Sequence, residues 1–266
     1  MSADVRAEKA AAALYDARQS KQAIAPVSET QGIVDPALAY AVQEMNTARW
    51  LENGRRVVGR KIGLTSLAVQ KQLGVGEPDY GMLWADMAYE NGAVVPIERF
   101  IQPRVEAEVA FIIRRRLDSA TSTLDEVAAA VGCALAAVEI VDSAIADWKI
   151  TLADTIADNA SGGGFVLGDV RRSLDEVDLR LCGMILSRNG TPASLGVGAA
   201  CLGHPLNATL WLARKMAAVG RPLDEGDIVL SGALGPMADV AAGDRIEVEI
   251  QGFAPIQFRF ATEVGS

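Results

Sequence analysis

Two hydrophobic rhythms divide the chain. Apolar residues recur at helical spacing in "MSADVRAEKAAAALYDARQSK" and again in "DPALAYAVQEMNTARWLENG", where Asp35 supplies an N-cap, Pro36 the first helical position and Gly54 the stop. "RRVVGRKIGLT" then reads as a strand and "SLAVQKQLGV" as a short helix closed by Gly74. The Gly-, Pro- and aromatic-rich stretch "GVGEPDYGMLWADM" is expected to be a long loop. From residue 104 strands predominate. "RVEAEVAFII" and "CALAAVEIVDS" are apolar strands flanking a helix, "STLDEVAAAVG", that starts with a Thr123 to Glu126 capping box. "WKITLADTIADNASGGGFVLG" reads as a short helix, a Gly-rich turn and a strand, and "DLRLCGMILSRNGTPASLGVG" as a hairpin turning at Asn189 and Gly190. The helix "HPLNATLWLARKMAAVG" and the strands "DIVLSGAL", "DRIEVEIQG" and "PIQFRFA" complete the pattern.

This succession predicts an α+β protein with a single catalytic domain over residues 1–266, in which a helical segment, 1–54, packs on a β-rich core, 55–266. No repeat or low-complexity linker interrupts it. A dinucleotide-binding fold is excluded, because the nearest approach to its glycine fingerprint, "GVGEPD", lacks the third Gly and opens no helix.

Within "PRVEAEVAF", strand alternation turns Glu106 and Glu108 to one face and Val105, Ala107 and Val109 to the other. The apolar strand "LAAVEIVDS" adds one more isolated acid, Glu139. Three carboxylates converging at about 5 Å and an effective dielectric of about 20 would repel by roughly 3 kcal/mol per pair, on the order of 10 kcal/mol in all. Protonation or an oxygen-preferring divalent cation, Mg²⁺ or Mn²⁺, would relieve this. A solvated edge strand produces the same Glu-x-Glu pattern, and the spacing alone leaves both readings open.

Composition narrows the chemistry. A formal charge of −9 over 266 residues argues against nucleic-acid or anionic-membrane partners and for a small-molecule ligand. No apolar run reaches membrane-spanning length, and the charged start lacks a signal-peptide core, so a cytoplasmic protein is expected. Cys133, Cys182 and Cys201 form no CxxC pair and read as buried reduced thiols. With one histidine, His204, a metal site built on several imidazoles is impossible within the chain. His204 opens a helix, which suits a capping role, and it is left out of the catalytic set.

Six ordered stretches, "GRRVVGRKIGLTSLAVQKQLGV", "PDYGMLWADM", "QPRVEAEVAF", "DTIADNAS", "CLGHPLNATLWLARKMA" and "DIVLSGALGPM", resemble the 2-keto-4-pentenoate (2-hydroxypenta-2,4-dienoate) hydratases. These belong to the fumarylacetoacetate hydrolase superfamily and serve meta-cleavage catabolism of aromatic compounds. The resemblance runs over nearly the whole chain. It implies a fumarylacetoacetase C-terminal-domain-like roll of mixed β-sheet with flanking helices, and a divalent metal, Mg²⁺ or Mn²⁺, on Glu106, Glu108 and Glu139.

It also points to Lys61, as an ammonium for substrate carboxylate or enolate, or as a proton donor if burial lowers its pKa. Asp79 becomes a candidate acid/base or Lys61 partner, Ser161 a substrate contact, and Leu83 and Trp84 a cover for the substrate's apolar end. Without the resemblance these five read as a strand-end lysine, turn residues and core. The implied reaction is hydration of a 2-hydroxydienoate to 4-hydroxy-2-oxopentanoate. Alternatives on the same scaffold are a 4-oxalocrotonate (2-oxo-3-enedioate) decarboxylase or a hydratase of a longer dienoate or dienedioate. One of another class is a non-catalytic stabilising partner of a decarboxylase, against which the intact Glu triplet and Lys61 argue. A homo-oligomer is expected, as is association with a pathway decarboxylase or aldolase.

Overall fold

A computed structural model describes residues 2–73 and 75–262, so the expected stop at Gly74 lies outside the described residues. Three helices open the chain: α1 (Ala3–Ser20), the short α2 (Val27–Thr30) and α3 (Pro36–Glu52). Asp35 caps α3 by accepting from Leu38 N, and Gly54, at φ 82°, follows its end. Strand β1 (Val57–Gly63) and helix α4 (Leu67–Leu73) fall where the pattern places them.

The expected long loop does not form: residues 79–84 are a strand, β2 (Asp79–Trp84), every residue of it buried. Its glycine mimics loop composition but serves a close approach, since a Cβ on Gly81 would stand 2.2 Å from Asn159 O. Two short strands follow, β3 (Ala88–Tyr89) and β4 (Val94–Val95), then the long strand β5 (Pro103–Ile113), helix α5 (Leu124–Ala130) and strand β6 (Val131–Asp142). The Thr123 and Glu126 capping box forms as expected.

Helix α6 (Leu152–Ala157) leads to strand β7 (Gly162–Leu167). Here too the structure corrects the expectation, because Gly162, Gly163 and Gly164 lie in the strand rather than in the turn before it. A Cβ on Gly163 would meet Asp142 Cβ at 2.7 Å and Ile140 O at 2.8 Å, so the glycines allow tight strand packing. The turn itself is made by Asn159, Ala160 and Ser161, all at positive φ. The hairpin of β8 (Gly183–Arg188) and β9 (Thr191–Val197) turns at Asn189 and Gly190, with φ of 53° and 78°. Helix α7 (Pro205–Ala218) and strands β10 (Ile228–Ala233), β11 (Ala238–Asp239), β12 (Arg245–Ile250) and β13 (Ile256–Phe260) end the described chain.

The strands form two mixed sheets, β2-β1-β10-β5-β6-β7-β3 with β11 alongside β5, and β4-β13-β12-β8-β9. One face of β5 (Val105, Ala107, Val109, Phe111) shares a core with Met184, Leu186, Ile246, Val248, Ile256 and Phe258 of the second sheet. Pleating therefore turns Glu106, Glu108 and Ala110 away from that core. The N-terminal helices have a second core, in which Ala10, Leu14 and Val42 pack on Ile145, Ile156 and Ala157. Among the described residues no helix is long and apolar enough to cross a membrane, and Cys133, Cys182 and Cys201 are free and buried.

Candidate metal and acid/base centre

The antiparallel pairing of β5 with β6 sets Glu106 directly opposite Glu139, and Glu108 opposite Ala137. All three side chains emerge on the same face, and one oxygen from each lies within 4.8 Å of the others. Glu108 and Glu139 are buried, while Glu106 is partly exposed. Strand β10 supports the group: its register shifts beyond Leu230, and Gly232, at φ 105°, donates its N–H to Glu108 Oε2 at 2.8 Å. Glu108 Oε1 and Glu139 Oε2 remain buried without a hydrogen-bond donor. Two orphaned carboxylate oxygens facing a third acid are what a hard divalent cation satisfies, so the donor set fits Mg²⁺ or Mn²⁺.

The electrostatics agree. Burial, then Glu139, pushes Glu106 up to about 7 against the pull of Lys61. Burial and its two carboxylate neighbours hold Glu108 well above the usual range. Glu139 is raised by burial although Lys61 opposes this.

Lys61 reaches the acids from β1, two strands away from β5. Its Nζ lies 3.1 Å from Glu139 Oε1 and donates to Ala160 O at 2.9 Å. Burial draws its pKa down, but Glu139, Asp79, Glu106 and Glu108 together outweigh this and hold it above its ordinary value. Burial alone would give the lowered pKa expected for a proton donor; the four carboxylates around Lys61 reverse that direction and favour its charged form.

Asp79, on the neighbouring strand β2, is buried, and its Oδ2 accepts from Thr155 Oγ1 at 3.1 Å. Its Oδ1 lies over Gly63, where a Cβ would come within 2.1 Å of it and 3.4 Å of Lys61 Nζ. Burial raises the Asp79 pKa, with Lys61 and Thr155 pulling the other way. Ser161 is buried, with its Oγ 3.5 Å from Thr155 Oγ1. Thr155 and the Ala160 carbonyl were not singled out from sequence. Each acts through a contact made only in the fold, although "DTIADNAS" contains both.

Apolar residues Leu83, Ala110, Leu135, Ala137, Phe165 and Leu230 form a separate cluster on the carboxylates' side of the sheet. Leu83, expected to cover the substrate's apolar end, belongs to this cluster. Trp84, its neighbour, is turned by pleating to the opposite side, among the core residues Tyr80 and Met82 and with Arg55 stacked 4.7 Å from its ring. A cavity of about 220 Å³ beside Trp84, lined also by Arg18, Trp50 and Arg99, is not lined by Glu106, Glu108 or Glu139. His204 caps α7, its Nδ1 accepting from Leu206 N at 3.0 Å, and burial lowers its pKa.

The sequence model of the fumarylacetoacetate (FAA) hydrolase C-terminal family matches residues 50–261. A Pseudomonas putida protein named TodF product hydratase is 55% identical over 95% of this chain and 94% of its own. The 2-keto-4-pentenoate hydratase 1 of Dechloromonas aromatica (strain RCB) is 52% identical over 96% and 97%. Among solved structures, 4-oxalocrotonate decarboxylase from Pseudomonas putida G7, complexed with magnesium and adipate, superposes with a TM-score of 0.93 at 33% identity, covering 98% of both chains. A match from residue 50 to residue 261, continued into full-length relatives that share half their residues, has one meaning: the chain belongs to the fumarylacetoacetate hydrolase family.

Proposed function

We propose that this chain is a divalent-metal-dependent hydro-lyase that adds water to 2-hydroxypenta-2,4-dienoate, the enol tautomer of 2-oxopent-4-enoate, giving 4-hydroxy-2-oxopentanoate. The observation that carries the reading is 55% identity, over nearly the full length of both chains, to a protein named a hydratase. The convergence of three acids, one ammonium and an apolar cluster on one side of the sheet supports it.

Glu106, Glu108 and Glu139 would hold Mg²⁺ or Mn²⁺, which supplies Lewis acidity toward the oxygens of a bound 2-oxo acid. The apolar cluster around Leu83 receives the hydrocarbon end. Moving the proton of the 2-hydroxyl to C5 gives the 2-oxo-3-ene, whose C4 is electrophilic. Water then adds at C4 and a proton is delivered to C3. Lys61 stabilises the negative charge that develops on the 2-oxygen in both steps. Asp79, with a raised pKa and one oxygen held by Thr155, takes and returns the protons. Ser161, 3.5 Å from Thr155, orients the attacking water.

A second reading, decarboxylation of a 2-oxo-3-enedioate, is favoured by the decarboxylase of 33% identity. Its substrate has a second carboxylate that needs a second cation. Lys61 is the cation with the strongest charge effect on Glu106, Glu108, Glu139 and Asp79, at the 2-oxo-acid end that both substrates share. The proposal extends to one catalytic unit, 1–54 packed on 55–266, acting in the cytoplasm as a homo-oligomer that associates with a pathway decarboxylase or aldolase.

The test is to add Mg²⁺ or Mn²⁺ to metal-stripped protein with fresh 2-hydroxypenta-2,4-dienoate and to follow loss of the dienol's ultraviolet absorbance with product identification. Metal-dependent 4-hydroxy-2-oxopentanoate supports the hydratase. CO₂ release from an enedioate without hydration of the dienoate supports the decarboxylase. Silence on every dienoate refutes catalysis and favours the non-catalytic partner.

A further inference from the structure

Lysine carries a flexible four-carbon stem, so an ammonium that must face one substrate oxygen needs external orientation. Two partners orient Lys61: Glu139, whose Oε1 forms an ion pair with Nζ at 3.1 Å, and the main-chain carbonyl of Ala160, which accepts a hydrogen bond at 2.9 Å. The Ala160 carbonyl belongs to a turn of three successive left-handed residues, Asn159, Ala160 and Ser161, with φ of 54°, 51° and 52°. Such a turn, without a glycine, persists only where its surroundings enforce it.

The enforcing contact comes from the Asn159 side chain. Met82 N donates to Asn159 Oδ1 at 2.7 Å, and Asn159 Nδ2 donates to Met82 O at 3.0 Å. This is the pair of hydrogen bonds a neighbouring strand would make, placed on the outer edge of β2, the last strand of its sheet on that side. The absence of a side chain at Gly81 admits the turn against that edge.

We propose that Asn159 is a positioning residue for the proposed reaction: by clamping the left-handed turn to β2 it aims the Ala160 carbonyl, and through it the Lys61 ammonium. The inference rests on the hydratase reading for its kinetic arm only. It assigns Asn159 a role through Lys61 and no contact with substrate.

Two variants loosen the clamp by different routes. Asn159→Gly keeps the left-handed conformation accessible and removes both side-chain hydrogen bonds. Gly81→Ala pushes on the turn from the strand side. Either is combined with Lys61→Met, so that a variant that fails to fold is replaced by the other. In protein with ¹⁵N-labelled lysine, the slowly exchanging ammonium signal absent from Lys61→Met identifies Lys61, and it should broaden or vanish in Asn159→Gly. In turnover, kcat should fall by roughly tenfold or more with KM and metal affinity changed by less than about twofold, while in the Lys61→Met background the same substitution should change kcat by less than about twofold.

An unchanged Lys61 ammonium signal, or equal losses with and without Lys61, overturns the proposal. A wild-type protein that shows the signal but hydrates nothing overturns the hydratase reading and leaves the positioning role to be decided by the signal.

Discussion

Replacing Glu106 with Gln should make the metal-free protein more stable and the metal-loaded protein relatively less so. The free energy at stake can be worked two ways. Carboxylate oxygens 4.8 Å apart repel by about 3 kcal/mol at an effective dielectric near 20. A Glu106 pKa displaced from 4.5 to about 7, by burial first and by Glu139 second, corresponds to about 3 kcal/mol of folding free energy. For an acid whose folded pKa is raised, the folded state binds more protons between the two values. The wild type therefore has its full metal-free stability below about pH 4.5, loses it progressively toward pH 7, and lacks it above. Glutamine cannot ionise, so its advantage should be absent near pH 4.5 and approach 3 kcal/mol at pH 8 and above, less the cost of housing an amide.

Chemical denaturation in EDTA at several pH values measures the difference directly. Added Mg²⁺ or Mn²⁺ should then stabilise the wild type by mass action and the variant far less, while turnover is lost. A Glu106→Gln protein less stable than wild type in EDTA at every pH would refute the reasoning, because the three carboxylates would then not be a source of mutual destabilisation that a cation relieves.

Two further substitutions probe the supports. Gly63→Ala should displace the Asp79 carboxylate, whose Oδ1 lies 2.1 Å from the new Cβ, and lower kcat by roughly tenfold or more, with metal affinity by calorimetry unchanged. Arg18→Met should cost about 3–5 kcal/mol in denaturant unfolding, since Arg18 bridges Asp142 and Asp158 with both N···O distances at 2.8 Å, and both acids are left buried without their cation.

What was legible in the sequence followed from periodicities that local rules enforce. The period of two set Glu106 and Glu108 on one face before any fold was known, and an acid isolated in an apolar run marked Glu139. Caps were equally readable, since Asp35, Thr123 and His204 satisfy helix N–H groups within three residues of themselves. Strand β2 was not readable, because its composition resembles a loop and its strand state depends on β1, which it pairs from Val57 to Gly63. The glycines of 162–164 misled for the converse reason. Gly163 is needed for close contact with Ile140 and Asp142, and Gly164 for contact with Tyr89, whereas the turn beside them is made by residues with ordinary side chains. Lys61's anchor, 99 residues away in sequence, has no local signature at all.

The N-terminal helices gain a purpose from that distance. Arg18 of α1 holds Asp142 at the end of β6 and Asp158 at the end of α6. Gln43 of α3 donates from one amide nitrogen to Tyr80 O of β2 and Ile156 O of α6, both at 2.9 Å. Ser28 of α2 binds Asp154 of α6 through both its N–H and its hydroxyl. All three helices therefore grip the segment that carries Thr155, Ala160 and Ser161, and through it Asp79 and Lys61, the two side chains to which the proposed reaction gives the proton and charge roles. A strand side chain such as Glu106 is fixed by its own sheet, but a main-chain carbonyl on a left-handed turn needs a wall behind it. Residues 3–52 supply that wall for a centre whose acids all lie beyond residue 78.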